Sequence, residues 1–446
     1  MQEYKHKQSK IDFEVTNNFN NVERIFVNLH RDRVLTSHQV ICLLEYKYLS
    51  KNAKNNKNDI GYELNENLYY ENLLINKGDV ITTLKEGIAQ ITQNNDNIQA
   101  ADVFYDLFNL IDFETFNNND DWLVLLEIVE KLSSNTTATI GEIIIFLTKY
   151  ISRFQGLNGS FNTNEDIVKL MIANQSEVKN IYNPFVEVTL LAEIGNIINV
   201  ENYYGQHPNI EQCALAKMVL LANDVNYKNI FIKCNDILEP VNWNVKFDLC
   251  VSIPPFGGRM KLNKFEDIRF KPYTPRKTEL LYLFDMFYNL DDNGVIKIIV
   301  PDGVLLSAPD KKIFKYLIDN EIISSIIGLP EGILDSTSIP TSLLILDKKS
   351  SDKEIFYLNL RNTQTKNIDK YIEILSNRKE QELLSKIATL EDIQENDYNL
   401  AINRYVDLEK LKLINIDKTL INIKKIKYEL KQIDSELNIK IEGLFK

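Results

Sequence analysis

Two prolines and an aromatic, Pro254-Pro255-Phe256, stand directly after a short apolar run and directly before Gly257-Gly258. The prolines fix the backbone, so Phe256 is displayed on a rigid loop. An aromatic displayed at the end of a strand is a place to stack a flat ligand, although plain core packing is the other use of such a ring. Ile253, just ahead of the prolines, has no side-chain atom that can accept a hydrogen bond. Basic residues follow. Between Lys246 and Thr278 there are eight Lys/Arg against three acids, a local net of +5. Arg259, Lys261, Lys264, Arg269 and Lys271 are the candidates for phosphate contact in that run. A solvated loop is the alternative.

The loop needs a sheet behind it. The run at 247–252 is short, partly β-branched and stopped by proline, which predicts a buried strand. From about residue 156 strands and helices alternate. Strands are expected at 179–182, 201–205, 229–234, 294–300, 322–329 and 342–346, with helices at 167–173, 190–198, 210–222, 278–289 and 311–320. Thr163 is the expected N-cap of the first of these helices. Such alternation predicts an α/β fold of the Rossmann-like type: a mostly parallel sheet covered by helices on both faces. Residues 1–155 read as a helical N-terminal domain, with apolar residues near 3.6 spacing at 80–91, 100–111, 121–132 and 139–154 and a polar linker or exposed loop at 51–59. Residues 156–400 form the α/β domain. Residues 401–446 form a C-terminal helical segment in which Ile426, Leu430, Ile433 and Leu437 repeat at heptad spacing, suited to a partner helix or to its own domain.

Composition narrows the class. The chain has 446 residues and a net charge of −12, which argues against nucleic acid wrapped over the whole surface. No apolar run approaches the roughly 20 residues of a membrane helix, and the first residues lack a signal-peptide apolar region, so a cytoplasmic protein without membrane contact is expected. Cys42, Cys213, Cys234 and Cys250 are scattered in apolar contexts and read as reduced, buried thiols. Neither they nor the four histidines show ligand spacing, so no metal is expected.

Taken in order, the segments from about 156 to 406 resemble the N6-adenine DNA methyltransferase subunit of type I restriction-modification systems. Gly159-Ser160-Phe161-Asn162-Thr163 is similar to that family's Gly-Glu-Phe-Tyr-Thr-Pro, and Tyr182-Asn183-Pro184 to its Tyr-Asp-Pro. Tyr204-Gly205-Gln206-His207 followed by Leu215-Ala216-Lys217-Met218 is similar to Tyr-Gly-Gln-Glu and Leu-Ala-Lys-Met. Pro254-Pro255-Phe256 stands for the end of Asn/Asp-Pro-Pro-Phe/Tyr, and Asn403-Arg404-Tyr405 for Ser-Arg-Tyr. Val300-Pro301-Asp302-Gly303, Ile327-Gly328-Leu329-Pro330 and Ile339-Pro340-Thr341 match later strands and loops.

The resemblance implies a class I methyltransferase fold that binds S-adenosylmethionine through Phe161, Thr163, Asn183, Pro184, Glu187, His207 and Asp236, acting on a flipped adenine at Ile253, Pro254, Pro255 and Phe256. Three departures stand out. Ile253 replaces the side chain that accepts from the adenine amino group. Glu187 and Thr189 replace two glycines of the cofactor loop, where a glutamate would fill cofactor space and face the cofactor's carboxylate. His207 replaces the acid that takes the ribose hydroxyls, and on its own it reads as a surface or loop histidine. Asp236 keeps its type, but it also suits a simple turn cap, as does Asp302. Two expectations follow: a catalytically impaired, DNA-binding or scaffolding subunit, or an active N6-adenine methyltransferase that needs a separate specificity subunit. Either implies double-stranded DNA as a partner, with a specificity subunit or another restriction-modification subunit docked through the C-terminal helix.

Overall fold

The computed structural model describes residues 14–22, 32–55, 59–93, 97–134, 136–152, 164–259, 267–270, 275–306, 310–334, 337–349, 354–361, 363, 368–406, 425–427 and 430. The helical part comprises α1 (Arg33–Lys54), α2 (Tyr70–Ile75), α3 (Val80–Gln93), α4 (Ile98–Phe104), α5 (Asn119–Ser133) and α6 (Ile140–Ser152). Helix α1 opens on Asp32, whose carboxylate accepts from the Val34 and Leu35 N–H groups. It runs through Lys54, so the polar stretch expected as a linker from residue 51 is helical in its first turn. Helix α4 ends at Phe104, well short of the expected 111.

The α/β part follows as α7 (Glu165–Ile172), β1 (Glu177–Asn183), α8 (Leu190–Gly195), β2 (Asn199–His207), α9 (Ile210–Ala222), β3 (Ile230–Cys234) and β4 (Phe247–Ser252). It continues with α10 (Thr278–Asn289), β5 (Leu290–Pro301), α11 (Asp302–Leu305), α12 (Lys311–Asp319), β6 (Ile323–Gly328) and β7 (Thr341–Asp347). Last come β8 (Ile355–Asn359), α13 (Ile368–Ser376), β9 (Ser385–Ala388) and α14 (Leu390–Glu395). Asn164 caps α7 by accepting from the Ile167 N–H, in place of the Thr163 cap expected from sequence.

The nine strands form one sheet in the order β3-β2-β1-β4-β5-β7-β6-β8-β9. Five of its eight pairings are parallel, and β5–β7, β6–β7 and β8–β9 are antiparallel. Strand order therefore reverses between β1 and β4, which places a crevice at their carboxyl ends. Alternate residues along each strand serve opposite faces. Ile181, Leu249 and Val251 join one core, which continues into the helical part through Leu44, Trp122 and Leu147. Tyr182, Cys250 and Ile298 join the other core, under α10 and α12. Helices thus cover both faces, as the alternation predicts. Cys42, Cys213 and Cys250 are buried, whereas Cys234, at the end of edge strand β3, is exposed. No helix among the described residues is long and apolar enough to cross a membrane.

Candidate functional site

The crevice is roofed by the loop that leaves β1. Asn183 is fully buried, and its side-chain oxygen accepts from the Phe185 N–H at 3.1 Å. The Val186 N–H donates to the Gln206 carbonyl at 3.0 Å, which folds the loop over the end of β2. Gly205 is required beneath it, because a Cβ there would lie 2.3 Å from Val186 Cγ2. Every residue from Asn183 to Thr189 is buried. The Phe185 ring sits 4.4 Å from the His207 ring and meets Tyr282 of α10 edge-on at 5.5 Å.

Glu187 is turned onto its own loop. Its carboxylate accepts from the Leu190 N–H at 2.7 Å and lies 3.3 Å from Thr189 Oγ1. Thr189 Oγ1 also lies 2.8 Å from Glu193, which pairs with Lys149 of α6 at 2.5 Å. Burial pushes the Glu187 carboxyl up from 4.5 to about 7, and the neighbouring Glu193 charge adds to the rise. Such an acid holds its proton more tightly folded than unfolded, so its contribution to stability falls as pH rises from about 4.5 toward 7. Urea midpoints measured from about pH 5 to about pH 8 are expected to decline less in Glu187→Gln than in the unaltered chain. Identical pH profiles would contradict this placement.

His207, read from sequence as a surface or loop histidine, is 5% exposed. Its Nδ1 accepts from the Asn209 N–H at 3.0 Å, which assigns the ring hydrogen to Nε2, and Nε2 has no partner among the described residues. Burial holds its pKa down at about 4. A neutral ring with a donor at Nε2 cannot accept from two ribose hydroxyls. Asp236 is exposed and accepts from the Leu238 N–H at 2.9 Å, which is the turn-capping role. Asp302 does more than cap: it accepts from Ser342 Oγ at 2.8 Å and pairs with Arg361.

At the end of β4, Ile253 is 1% exposed and belongs to the same apolar core as Val186 and Val188. Pro254 is buried, while Pro255 and Phe256 are half-buried, Phe256 packing against the same core. Gly257 adopts φ +77°, and its N–H donates to Glu279 Oε1 at 2.8 Å. The Thr278 N–H donates to the Gly258 carbonyl at 3.1 Å. Thr278 and Glu279, in the first turn of α10, therefore hold the Pro-Pro-Phe loop. Sequence reading missed them; the available signal was a Thr-Glu pair opening the helix after the basic run.

Of the basic candidates, Arg259 is exposed and bridges to Lys277 across an antiparallel backbone pair. Arg269 is a correction: it is 5% exposed and its guanidinium is used internally, so it presents no charge to a surface phosphate. Phe161, Thr163, Lys261, Lys264 and Lys271 lie outside the described residues. Among the described residues no His, Cys, Asp and Glu group could hold a metal ion.

S-adenosylmethionine needs bare backbone at the loop and an acceptor pair at the ribose. Glu187 and Thr189 carry side chains where bare backbone is needed, and His207 offers a donor, so these residues do not fit the cofactor as they stand. Three buried polar atoms without a partner among the described residues, Asn183 Nδ2, His207 Nε2 and Ser252 Oγ, nevertheless lie at the carboxyl ends of the adjacent strands β1, β2 and β4.

The N-6 DNA methylase family model matches residues 135–412. That span exceeds half of the chain, and the chain belongs to this family. It is 25% identical over 364 residues to the type I restriction enzyme MpnII methylase subunit of Mycoplasma pneumoniae, covering 71% of this chain and 67% of that protein. In fold it is similar to the type I restriction-modification methyltransferase subunit of Streptococcus thermophilus, with a TM-score of 0.77, 21% identity and coverage of 90% of this chain and all of that one. A chain of a type I system solved for its complex assembly and conformational transition aligns with a TM-score of 0.64 at 16% identity, over 95% and 98% of the two chains. The family and the fold expected from the sequence are both borne out.

Proposed function

We propose that this chain is the DNA adenine-N6 methyltransferase-like subunit of a type I restriction-modification system, that its own methyl-transfer site does not operate, and that it serves as a DNA-binding and scaffolding partner in the cytoplasm. The observation that carries the reading is the buried Asn183–Thr189 loop, with the Phe185 ring between His207 and Tyr282. Ile253 supports it independently, since an apolar side chain cannot accept from the adenine amino group. Phe256 and the Pro254 carbonyl remain able to receive a flipped base. In this reading residues 1–155 form the helical domain, 156–400 the methyltransferase-like domain and 401–446 the subunit-contact segment. Arg259, with Lys261, Lys264 and Lys271, contacts DNA phosphates.

The chain, with a specificity subunit present, is expected to retain duplex DNA in a salt-dependent manner while a tritium-transfer assay gives no methylated product. Product from the unaltered chain would overturn the reading. The three orphaned polar atoms favour a second reading, an active enzyme with an unusual pocket that opens once its partners bind. Sequence recognition comes from the specificity subunit, docked through the C-terminal helix, where the described residues Ile426 and Leu430 are exposed. Assembly that survives deletion of residues 408–446 would count against that docking.

A further inference from the structure

Arg269 lies in sequence between two exposed arginines, Arg259 and Arg276, yet its side chain is turned inward. Its guanidinium spends four N–H contacts at once. Nε and Nη2 donate to Asp267 at 2.9 and 2.6 Å, Nη1 donates to Asp285 of α10 at 2.7 Å, and Nη2 donates to the Ile237 carbonyl at 2.9 Å. Asp285 in turn accepts from the Tyr182 hydroxyl at 2.7 Å and is 2% exposed. Asn289 Nδ2 donates to the Asp285 carbonyl at 2.9 Å.

These partners come from three places that matter. Tyr182 immediately precedes Asn183 at the end of β1. Ile237 immediately follows Asp236 in the loop after β3. Asp285 sits on α10, whose first turn holds Gly257 and Gly258 beside Phe256. One planar, five-donor group thus joins the short helical turn at Ile268–Phe270 to the loop after β3 and to the helix that positions the aromatic, and reaches Tyr182 at the end of β1 through Asp285. Phe270, 2% exposed, closes the clamp, with its ring 4.9 Å from the guanidinium carbon.

We propose that Arg269 is a positioning residue for DNA: it contacts no phosphate, and its clamp on Asp285, Asp267 and the Ile237 carbonyl holds the Ile268–Phe270 turn on α10, the helix that fixes Gly257 to Arg259 beside Phe256, and couples that turn to the Asp236 loop. The inference rests on the DNA-binding reading and deepens it. Lysine cannot reproduce it, because one ammonium on a flexible stem does not span two carboxylates and a carbonyl in a fixed plane.

The test is fluorescence anisotropy of a labelled duplex at several salt concentrations, together with backbone hydrogen exchange on the free chain. Arg269→Lys is expected to weaken binding about tenfold with the slope of log K against log salt unchanged, whereas Arg259→Ala lowers that slope by about 0.9. In the free chain, exchange across 235–239 and 267–270 rises in Arg269→Lys while that of α9 stays as in the unaltered chain. A merely structural arginine would lower the folded fraction and leave the folded protein's affinity unchanged, which overturns the proposal. So does a slope lowered by about 0.9, the sign of a direct phosphate contact. An unaltered chain with no salt-dependent DNA binding sinks the DNA reading itself, and the exchange arm then decides the clamp alone: unchanged exchange at 235–239 removes it. Should Arg269→Lys fail to fold, Asp267→Asn weakens the same clamp at its more exposed edge and is read the same way.

Discussion

Ile253→Asn is expected to leave tritium transfer from S-adenosylmethionine to duplex DNA at background, even with a specificity subunit present. Asparagine supplies the acceptor that isoleucine lacks, and a positioned transition-state hydrogen bond is worth on the order of 10²–10³ in rate. Were the acceptor the sole defect, the substitution would lift activity by that factor. In the proposed reading the loop after β1 is a separate obstacle, because Glu187 and Thr189 stand at its glycine positions and are buried there. Ile253 is itself core, so asparagine there also places a polar amide among apolar side chains. A rise of a hundredfold would show that the loop admits the cofactor after all.

The second large effect concerns stability. Asp285→Ala removes the carboxylate that Arg269 and Tyr182 share and leaves a buried guanidinium short of one partner. Breaking a buried pair on one side costs about 3–5 kcal/mol. Burial pushes the Asp285 carboxyl up, and Tyr182 and Arg269 offset part of that rise by stabilising the carboxylate. The contrast is Lys54–Glu71, a pair whose side chains are about half exposed; Glu71→Ala is expected to cost no more than about 1 kcal/mol. Urea midpoints at constant m-value compare the two variants. Equal, small losses would mean that the clamp contributes no more than a surface pair.

Much of this architecture was legible in the residues, and the reasons are specific. The seven strands β1–β7 announced themselves as short β-branched or apolar runs closed by Pro, Gly, Asn or Asp, and Pro254-Pro255 marked the end of β4. Strands β8 and β9 escaped. Ser385–Ala388 is only four residues long with a lysine inside, and Ile355–Asn359 follows a charged stretch that reads as loop. The antiparallel placement of β7 between β5 and β6 had no local signal, since pairing partners are not written in a strand's own pattern.

The site was legible in its positions and less so in its side chains. That Glu187 and His207 depart from the family pattern was visible, but not that Glu187 would bind the Leu190 N–H or that His207 would be buried against Phe185. Arg269 shows the limit most clearly. In a basic run every cation looks alike, and the partner that turned this one inward, Asp285, lies 16 residues away on a helix. The capping of α7 by Asn164 in place of Thr163 is a smaller case, because two polar residues one position apart compete for the same role.

Calorimetric titration of S-adenosylmethionine into the purified chain bears most directly on whether this family member retains its chemistry. No detectable binding is expected, because Glu187 and Thr189 occupy the glycine positions of the loop and His207 offers the wrong polarity. Saturable binding with a dissociation constant in the range of about 1–100 μM would contradict that, and would return Ile253 to the status of a single altered residue in a working methyltransferase.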